Sequence, residues 1–353
     1  MSTSKGSPIQ FEHVGRSYGV GTQTVRAVDD VSFTVEPGET LCLVGESGCG
    51  KSTTGRMVAG LLDPTEGRVL YGGRQVETLN DQERKRYRRA VQIIHQDPYA
   101  SLNPIRSISQ TLSAPLKHHK LVNGRTELRN RLEELMTLVG LTPPGDFLRK
   151  YPHQLSGGQR QRVSVARALT VEPEFIVADE PVSMVDVSLR VSLLNMMLEL
   201  QSELGVTFLF ITHDLAVAKH FAWEGRLGVM YLGRMVEIGL TPKVVGEPIH
   251  PYTKSLISAL PEPDPDLTRN KERIRLRSLD IPSLLELPPG CTFHPRCPYY
   301  EEGLCDTTRP AEDTVSLNGR LAACYVMARE LGQEDRIPEE SRRQAKLHEQ
   351  RAS

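Results

Sequence analysis

Hydrophobic and polar positions alternate in short runs over residues 9–37, with turn signals at Gly15, at residues 19–21 and at Pro37-Gly38. A period of two predicts strands with one buried face. Next comes an unbroken apolar run, Thr40-Leu41-Cys42-Leu43-Val44, which fits a strand buried on both faces. A glycine-rich turn follows it, and residues 51–62 have helical spacing. Residues 80–148 are mainly helical with long polar faces, broken at Asn103-Pro104 and at Pro143-Pro144-Gly145. Two further β-type runs, Phe175-Ile176-Val177-Ala178 and Thr207-Phe208-Leu209-Phe210-Ile211, lead into acidic or histidine residues. A helix over about residues 187–204 separates them. This alternation predicts an α/β fold, a sheet core with an inserted helical lobe, and no internal repeat is visible.

After Leu260 the pattern changes. Pro261, Pro263, Pro265, Pro282, Pro288 and Pro289 mark an irregular, extended stretch. Four of the six cysteines then crowd together, at Cys291, Cys297, Cys305 and Cys324. Beyond about residue 331 the chain is strongly charged, and its end is expected to be a frayed helix or disordered.

Composition narrows the class. Lys and Arg number 43 against 44 Asp and Glu, a net charge of −1, which gives no support for nucleic acid as a partner. The basic run Arg84-Lys85-Arg86-Tyr87-Arg88-Arg89 reads as a solvated helix face, with a partner or lipid headgroups as the sharper alternative. No apolar run reaches the ~18–20 residues of a spanning helix, and the polar start lacks a signal-peptide core. A cytosolic protein is expected, attached to a membrane, if at all, through a partner. In that reducing compartment six cysteines argue against a disulfide framework.

Two segments point to phosphate chemistry. Gly45-Glu46-Ser47-Gly48-Cys49-Gly50-Lys51-Ser52 fits the P-loop pattern between a strand and a helix. Its glycines let backbone N–H groups wrap phosphates, Lys51 supplies charge to the β/γ oxygens, and Ser52 offers a hydroxyl to Mg²⁺. Thr53 continues the site, and the Cys49 thiol reads as packing. Leu155-Ser156-Gly157-Gly158-Gln159 is the second segment, a helix start with two glycines, a hydroxyl and an amide. Such a pentapeptide arises by chance about once in a million windows, so it demands a role. Two phosphate sites beside one nucleotide fold suggest that one of them serves another subunit.

Asp179-Glu180 closes the run of residues 175–178. A carboxylate at a strand end can hold Mg²⁺ through water, and the next can orient or deprotonate an attacking water. His213 stands at the end of a core strand, where α/β sites form. Gln96 ends the run Val91-Gln92-Ile93-Ile94-His95 and could ligate Mg²⁺, and Tyr18 could stack on adenine.

In this order the pieces resemble the ATPase subunit of an ABC transporter, over roughly residues 9–239. The resemblance implies a P-loop NTPase of ABC type: a RecA-like α/β core, an antiparallel β subdomain and a helical lobe at about residues 80–170. The nucleotide-binding domain would span residues 1–260, followed by a Pro- and Cys-rich module at 261–330 and a charged tail at 331–353. Two such domains would dimerise head to tail, each P-loop closing ATP against the other's Leu155–Gln159 equivalent. Glu180 would be the general base, Gln96 the Mg²⁺ and coupling residue, His213 the γ-phosphate sensor, with Mg²⁺ held through Ser52, Gln96 and Asp179. Ser183 and Asp186 would speak across the dimer, although Met184-Val185 stands where the family commonly has Ala-Leu.

A narrower resemblance is carried by Gln96-Asp97-Pro98-Tyr99-Ala100-Ser101-Leu102-Asn103-Pro104, Tyr151-Pro152-His153-Gln154, and His250-Pro251-Tyr252-Thr253 with Leu260-Pro261. These look like the oligopeptide/dipeptide importer ATPases, a group that also serves nickel, glutathione and some oligosaccharides. It implies an ATP-hydrolysing subunit on the cytoplasmic face of the membrane that powers uptake of peptides or a related small solute. Its partners would be a second ABC ATPase, a paralogue in preference to a second copy, two transmembrane permeases and an external solute-binding protein. The alternative is a soluble ABC-type ATPase not coupled to transport, with the cysteine cluster as its functional centre.

The cysteines are spaced Cys291-x5-Cys297-x7-Cys305-x18-Cys324. Four thiolates can complete a [4Fe–4S] cluster or a tetrahedral zinc site. Close pairs typical of zinc modules are missing, and similar tails in the peptide-importer group resemble a cluster-binding module. The expectation is a [4Fe–4S] cluster, with Zn²⁺ as the alternative and scattered packing cysteines as the bland reading. His294 is expected beside the thiolates or exposed.

Overall fold

A computed structural model describes residues 6–21, 23–260 and 273–352. The prolines at 261, 263 and 265 lie outside the described residues. Two long strands, β1 (Ile9–Val20) and β2 (Gln23–Val35), open the chain, followed by β3 (Thr40–Val44) and α1 (Lys51–Val58). After β4 (Glu66–Tyr71), β5 (Arg74–Gln75) and α2 (Asp81–Ala90), β6 (Val91–Ile94) leads into helices. These are α3 (Pro98–Ser101), α4 (Ile108–His118), α5 (Arg125–Leu138), α6 (Pro144–Leu148) and α7 (Gly157–Leu169). Strands and helices then alternate: β7 (Phe175–Asp179), α8 (Val187–Leu204), β8 (Thr207–Thr212), α9 (Leu215–Phe221) and β9 (Arg226–Tyr231). Next come β10 (Arg234–Leu240), α10 (Thr241–Gly246) and α11 (Pro251–Ser258). The C-terminal part holds β11 (Val315–Leu317), β12 (Arg320–Ala322), α12 (Tyr325–Glu330) and α13 (Glu339–Ala352).

The strands form two sheets. One is antiparallel, in the order β2-β1-β4-β5, and the other runs β11-β12-β10-β9-β3-β8-β7-β6. Its five strands β9, β3, β8, β7 and β6 are parallel, and β10 turns antiparallel to β9. The side-chain period of two splits the buried strands between two cores. Leu41, Leu43, Val177 and Ile211 face a layer containing α1 and the antiparallel sheet. Cys42, Val44, Ile176, Ala178 and Phe210 face the helical lobe with α7 to α9. That double burial explains why these runs are apolar at every position rather than alternating. A side chain at Gly55 would place its Cβ 2.7 Å from Ile211 Cδ1 and 3.0 Å from Val177 Cγ1, so α1 lies directly on the sheet.

Three findings go beyond the sequence pattern. First, β12 pairs with β10 through Glu237↔Ala322, so residues far beyond Leu260 extend the core sheet. Second, α13 is packed on the rest of the fold: it docks through Ser341 and Ala345, both buried, with a short hydroxyl contact between Thr308 and Ser341. Third, residues 291–312 reach back to the N-terminal elements. Arg309 pairs with the buried Asp29, which Arg26 also holds at 2.8 Å. Glu312 accepts from the Ser32 N–H at 3.1 and 3.3 Å. The basic run of α2 is a largely solvated face, as the bland reading expected, with Tyr87 buried beneath it and an Asn80–Glu83 capping box at its start.

Candidate functional site

The loop between β3 and α1 wraps one end of a cleft of about 800 Å³. Gly45 has φ +155°, and a Cβ there would sit 2.1 Å from the Met230 carbonyl oxygen. Gly50 has φ +102°, and its Cβ would sit 2.2 Å from the Ala27 carbonyl oxygen. Only glycine meets both demands, conformational and steric. Lys51 is buried, its Nζ donating to the carbonyls of Gly45 at 2.8 Å and Glu46 at 2.9 Å. The ammonium is thus curled into its own loop. The first turn of α1 turns its unpaired N–H groups to the cleft, a ready anion site.

Gly45, Ser47, Gly48, Gly50, Lys51, Ser52, Thr53, Gln96, Glu180 and His213 all line this cleft. Ser52 Oγ donates to Asp179 Oδ1 at 2.9 Å. Burial pushes Asp179 up from the ordinary carboxylate range, the Ser52 bond opposes it, and the neighbouring Glu180 charge reinforces it. Glu180 sits at φ +47°, left-handed for a bulky residue and therefore strained. One of its oxygens, Oε2, accepts from Gln96 Nε2 at 3.0 Å and lies 3.1 Å from His213 Nδ1. Three strand ends, those of β6, β7 and β8, so bring an amide, a carboxylate and an imidazole to one point. A hydroxyl, a carboxylate and an amide oxygen are hard donors of the kind Mg²⁺ takes with substrate phosphates.

Other candidate residues lie outside this lining. Tyr18 is not among the lining residues, and its ring lies under the Arg16 guanidinium, 4.8 Å away. The Cys49 side chain is buried beneath the loop, with Lys51 Nζ 3.6 Å from its sulfur. None of Leu155, Ser156, Gly157, Gly158 and Gln159 lines the cleft. That segment starts α7 as a capping box: Ser156 Oγ accepts from the Gln159 N–H at 3.3 Å, and Gln159 Oε1 from the Ser156 N–H at 3.1 Å. A Cβ on Gly158 would lie 3.2 Å from Leu189 Cδ1, and one on Gly157 3.5 Å from the Met184 carbonyl oxygen. Met184, Val187, Leu189 and Val191 are all exposed beside it, an apolar border with polar Asp186 among them. Ser183 Oγ instead turns inward to the Glu180 carbonyl at 2.9 Å.

Sequence reasoning missed the far wall of the cleft. Leu256, Ala259 and Leu260 line it from α11 and the residues just after. It also missed Glu46, the variable second position of the loop. The Glu46 N–H donates to the Tyr252 hydroxyl at 3.1 Å, and its carboxylate takes both prongs of the Arg296 guanidinium at 2.9 and 3.0 Å. These partners lie about two hundred residues or more along the chain, beyond the reach of any local pattern.

The cysteine expectation is corrected. Cys291, Cys297, Cys305 and Cys324 do meet, around a cavity shared with His250 and Phe293, but the open space is about 10 Å³. That is room for about one water. Among the described residues no group of three or more His, Cys, Asp or Glu is disposed to hold a metal ion. Burial raises all four thiols, Cys297 and Cys305 to about 12, as apolar surroundings do. Neither a [4Fe–4S] cluster nor Zn²⁺ is supported; the thiols are free and pack as small apolar groups. His294 is half-buried and hydrogen-bonds the Cys291 carbonyl at 2.9 Å.

Comparison with known proteins agrees with this geometry. Residues 28–183 match the ABC transporter family, and residues 236–305 match the oligopeptide/dipeptide transporter, C-terminal region. The chain is 47% identical over 306 residues to the putative oligopeptide transport ATP-binding protein YkfD of Bacillus subtilis, covering 86% of this chain and 90% of that protein. It is 41% identical to the oligopeptide transport ATP-binding protein OppF of Haemophilus influenzae, covering 92% and 98%. OppF of Escherichia coli is 45% identical over 82% of this chain and 84% of its own. These peptide-transport relatives, like the tight thiol cluster, speak against an iron–sulfur protein. Among solved structures, the dimeric post-hydrolysis state of the ATP-binding cassette MJ0796 bound to ADP and Pi superposes with a TM-score of 0.58 at 29% identity. It covers 64% of this chain and 96% of that one. The cbiO1 protein of Clostridium perfringens, part of the ABC transporter complex cbiONQ, gives a TM-score of 0.60 at 26% identity over 69% and 92%.

Proposed function

Since this chain belongs to the ABC transporter ATPases, within the group of oligopeptide/dipeptide transport ATP-binding proteins, we propose that it cleaves ATP at a site completed by a second ATPase subunit and so powers peptide import. The observation that carries the reading is the meeting of Gln96, Glu180 and His213 at the mouth of a P-loop cleft that the signature segment does not line. Lys51 and the loop amides bind the phosphates. Ser52, Asp179 and Gln96 would hold Mg²⁺, whose charge would offset the negative charge on the transferring phosphoryl group. Glu180, pinned from both sides, accepts the proton of the attacking water, while Gln96 and His213 fix its direction.

The signature segment supplies the other half of a partner's site. Its capping box takes up the N–H groups of Ser156 and Gln159, so the N–H groups of Gly157 and Gly158 would be the ones offered to a partner's phosphate, and the apolar border of Met184, Val187, Leu189 and Val191 suits burial against another subunit. That the MJ0796 cassette was solved as a dimer supports a reading with two ATPase subunits. Permease contact falls to the segment after Gln96, where Tyr99 and Ile105 are strongly exposed. Among the described residues no helix is long and apolar enough to cross a membrane, which suits a peripheral subunit held by permeases. In this reading residues up to 260 form the nucleotide-binding unit, with its helical lobe at about 80–170, and the later residues a C-terminal module and tail.

Glu180→Gln tests the reading. It should keep ATP binding and lower steady-state hydrolysis on the order of 10²–10⁴-fold. Undiminished turnover would remove Glu180 from the chemistry.

A further inference from the structure

We propose that Arg296 is a positioning residue for ATP: it neutralises Glu46 inside the phosphate loop and thereby makes the C-terminal region part of the nucleotide site. This rests on the ATP-binding reading above.

Glu46 brings a carboxylate into the phosphate loop. It lies between Gly45 and Ser47, lines the cleft, and its carbonyl holds the Lys51 ammonium at 2.9 Å. A carboxylate there opposes the polyphosphate that the surrounding N–H groups and lysine are arranged to attract. The Arg296 fork spans both of its oxygens at 2.9 and 3.0 Å, which cancels the charge and fixes the side chain. Arg296 is itself held. It is buried, packs near the rings of Tyr231 and Phe293, donates to the Tyr231 hydroxyl at 3.3 Å, and its carbonyl accepts from the Arg277 N–H at 3.1 Å. The Tyr252 hydroxyl takes the Glu46 N–H from α11, whose next turn reaches the cleft through Leu256. The partners of the Glu46 carboxylate and of its main-chain N–H therefore both come from beyond residue 250. Docking of the C-terminal region and charge balance in the phosphate loop are one event.

A mere anchor and a charge neutraliser respond differently to a second substitution. The experiment measures equilibrium binding of ATP with Mg²⁺ to the full chain and its variants at low and high salt. Arg296→Ala should weaken ATP about tenfold at low salt, the order for one added charge near a polyphosphate at an effective dielectric of about 20, and less at high salt. Glu46→Gln alone should bind ATP at least as tightly as the wild type. The double variant Glu46→Gln with Arg296→Ala should return to within about twofold of the wild type, because no net charge is left. If Arg296→Ala does not fold, Arg296→Met keeps the packed stem without the charge and poses the same question. Wild-type affinity in the neutral Arg296 variants would overturn the proposal. So would a double variant as weak as the single one, which would make Arg296 an anchor alone. Lys51→Ala serves as the control: if it leaves ATP affinity unchanged, the phosphate-loop reading itself fails, whatever Arg296 does.

Discussion

Replacing Glu237 by alanine should destabilise the fold more than any surface change, through the helix that walls the ATP cleft. Glu237 sits on β10, 1% exposed, and its two oxygens accept the N–H groups of Ile249 and His250 at 2.9 Å each. Those are the first amides entering α11, unpaired within the helix itself. Burial raises the Glu237 carboxyl above its ordinary value, while the two N–H bonds pull it back. Truncation leaves both amides buried without partners, at about 1–3 kcal/mol each, and opens a small cavity, together about 4 kcal/mol. A chain of 353 residues has an unfolding entropy of about 0.7 kcal/mol/K, so the melting temperature should fall by about 5 °C. Glu237→Gln keeps one acceptor and should cost about half as much. Differential scanning calorimetry at pH 7 measures both. A Glu237→Ala chain melting within about 1 °C of the wild type would refute the claim that this cap holds α11 in place.

Glu312 gives a pH signature. Burial lifts its carboxyl to about 8; the Ser32 N–H and Arg234 oppose the rise, and Asp30 and Asp313 add to it. The folded state therefore holds a proton that the unfolded chain has already lost above its ordinary value near 4.5. That contribution to stability is complete below about pH 4.5 and fades as pH rises toward 8. Glu312→Gln, which mimics the protonated form, should lose on the order of 2 kcal/mol less stability than the wild type between about pH 5 and 8, measured by urea unfolding at each pH. A parallel pH profile would contradict it. Ser156→Ala removes the hydroxyl of the α7 capping box and should cost about 1 kcal/mol of stability. It should also slow ATP hydrolysis in the assembled ATPase pair while leaving this chain's own ATP affinity unchanged; a loss of affinity at its own P-loop would contradict the division of roles.

Much of the site was legible because its chemistry is local. The octet at residues 45–52 must be one turn between a strand and a helix, and Asp179-Glu180 must end a strand, so their meeting follows from parallel strands β3, β8 and β7 lying side by side. The doubly buried strands were equally plain, since apolar residues at every position mean two covered faces. What escaped depends on tertiary distance. Nothing near Glu46 signals that Arg296 will neutralise it, and nothing in the spacing of β11 and β12 signals that they will join the core sheet. The cysteines misled for a related reason. Spacing suggested ligands, but ligation also requires room for an ion, and tight packing leaves only about 10 Å³ between the side chains.

The claim that ATP is cleaved between two subunits has a direct test. Ser156→Cys is placed at the start of α7 in this chain and a cysteine at the position matching Ser47 in the phosphate loop of the second ATPase subunit, paralogue or second copy, each with the glutamate matching Glu180 changed to Gln to hold ATP uncleaved. The two subunits are mixed with ATP and Mg²⁺ under mild oxidation, and covalent dimers are resolved on a denaturing gel. A disulfide between residue 156 of this chain and the phosphate-loop cysteine of the second subunit, formed with ATP and sparse without it, is the expected result. A cross-link yield indifferent to ATP, together with wild-type hydrolysis whose rate per molecule does not change on dilution, would place the whole reaction within a single chain and contradict it.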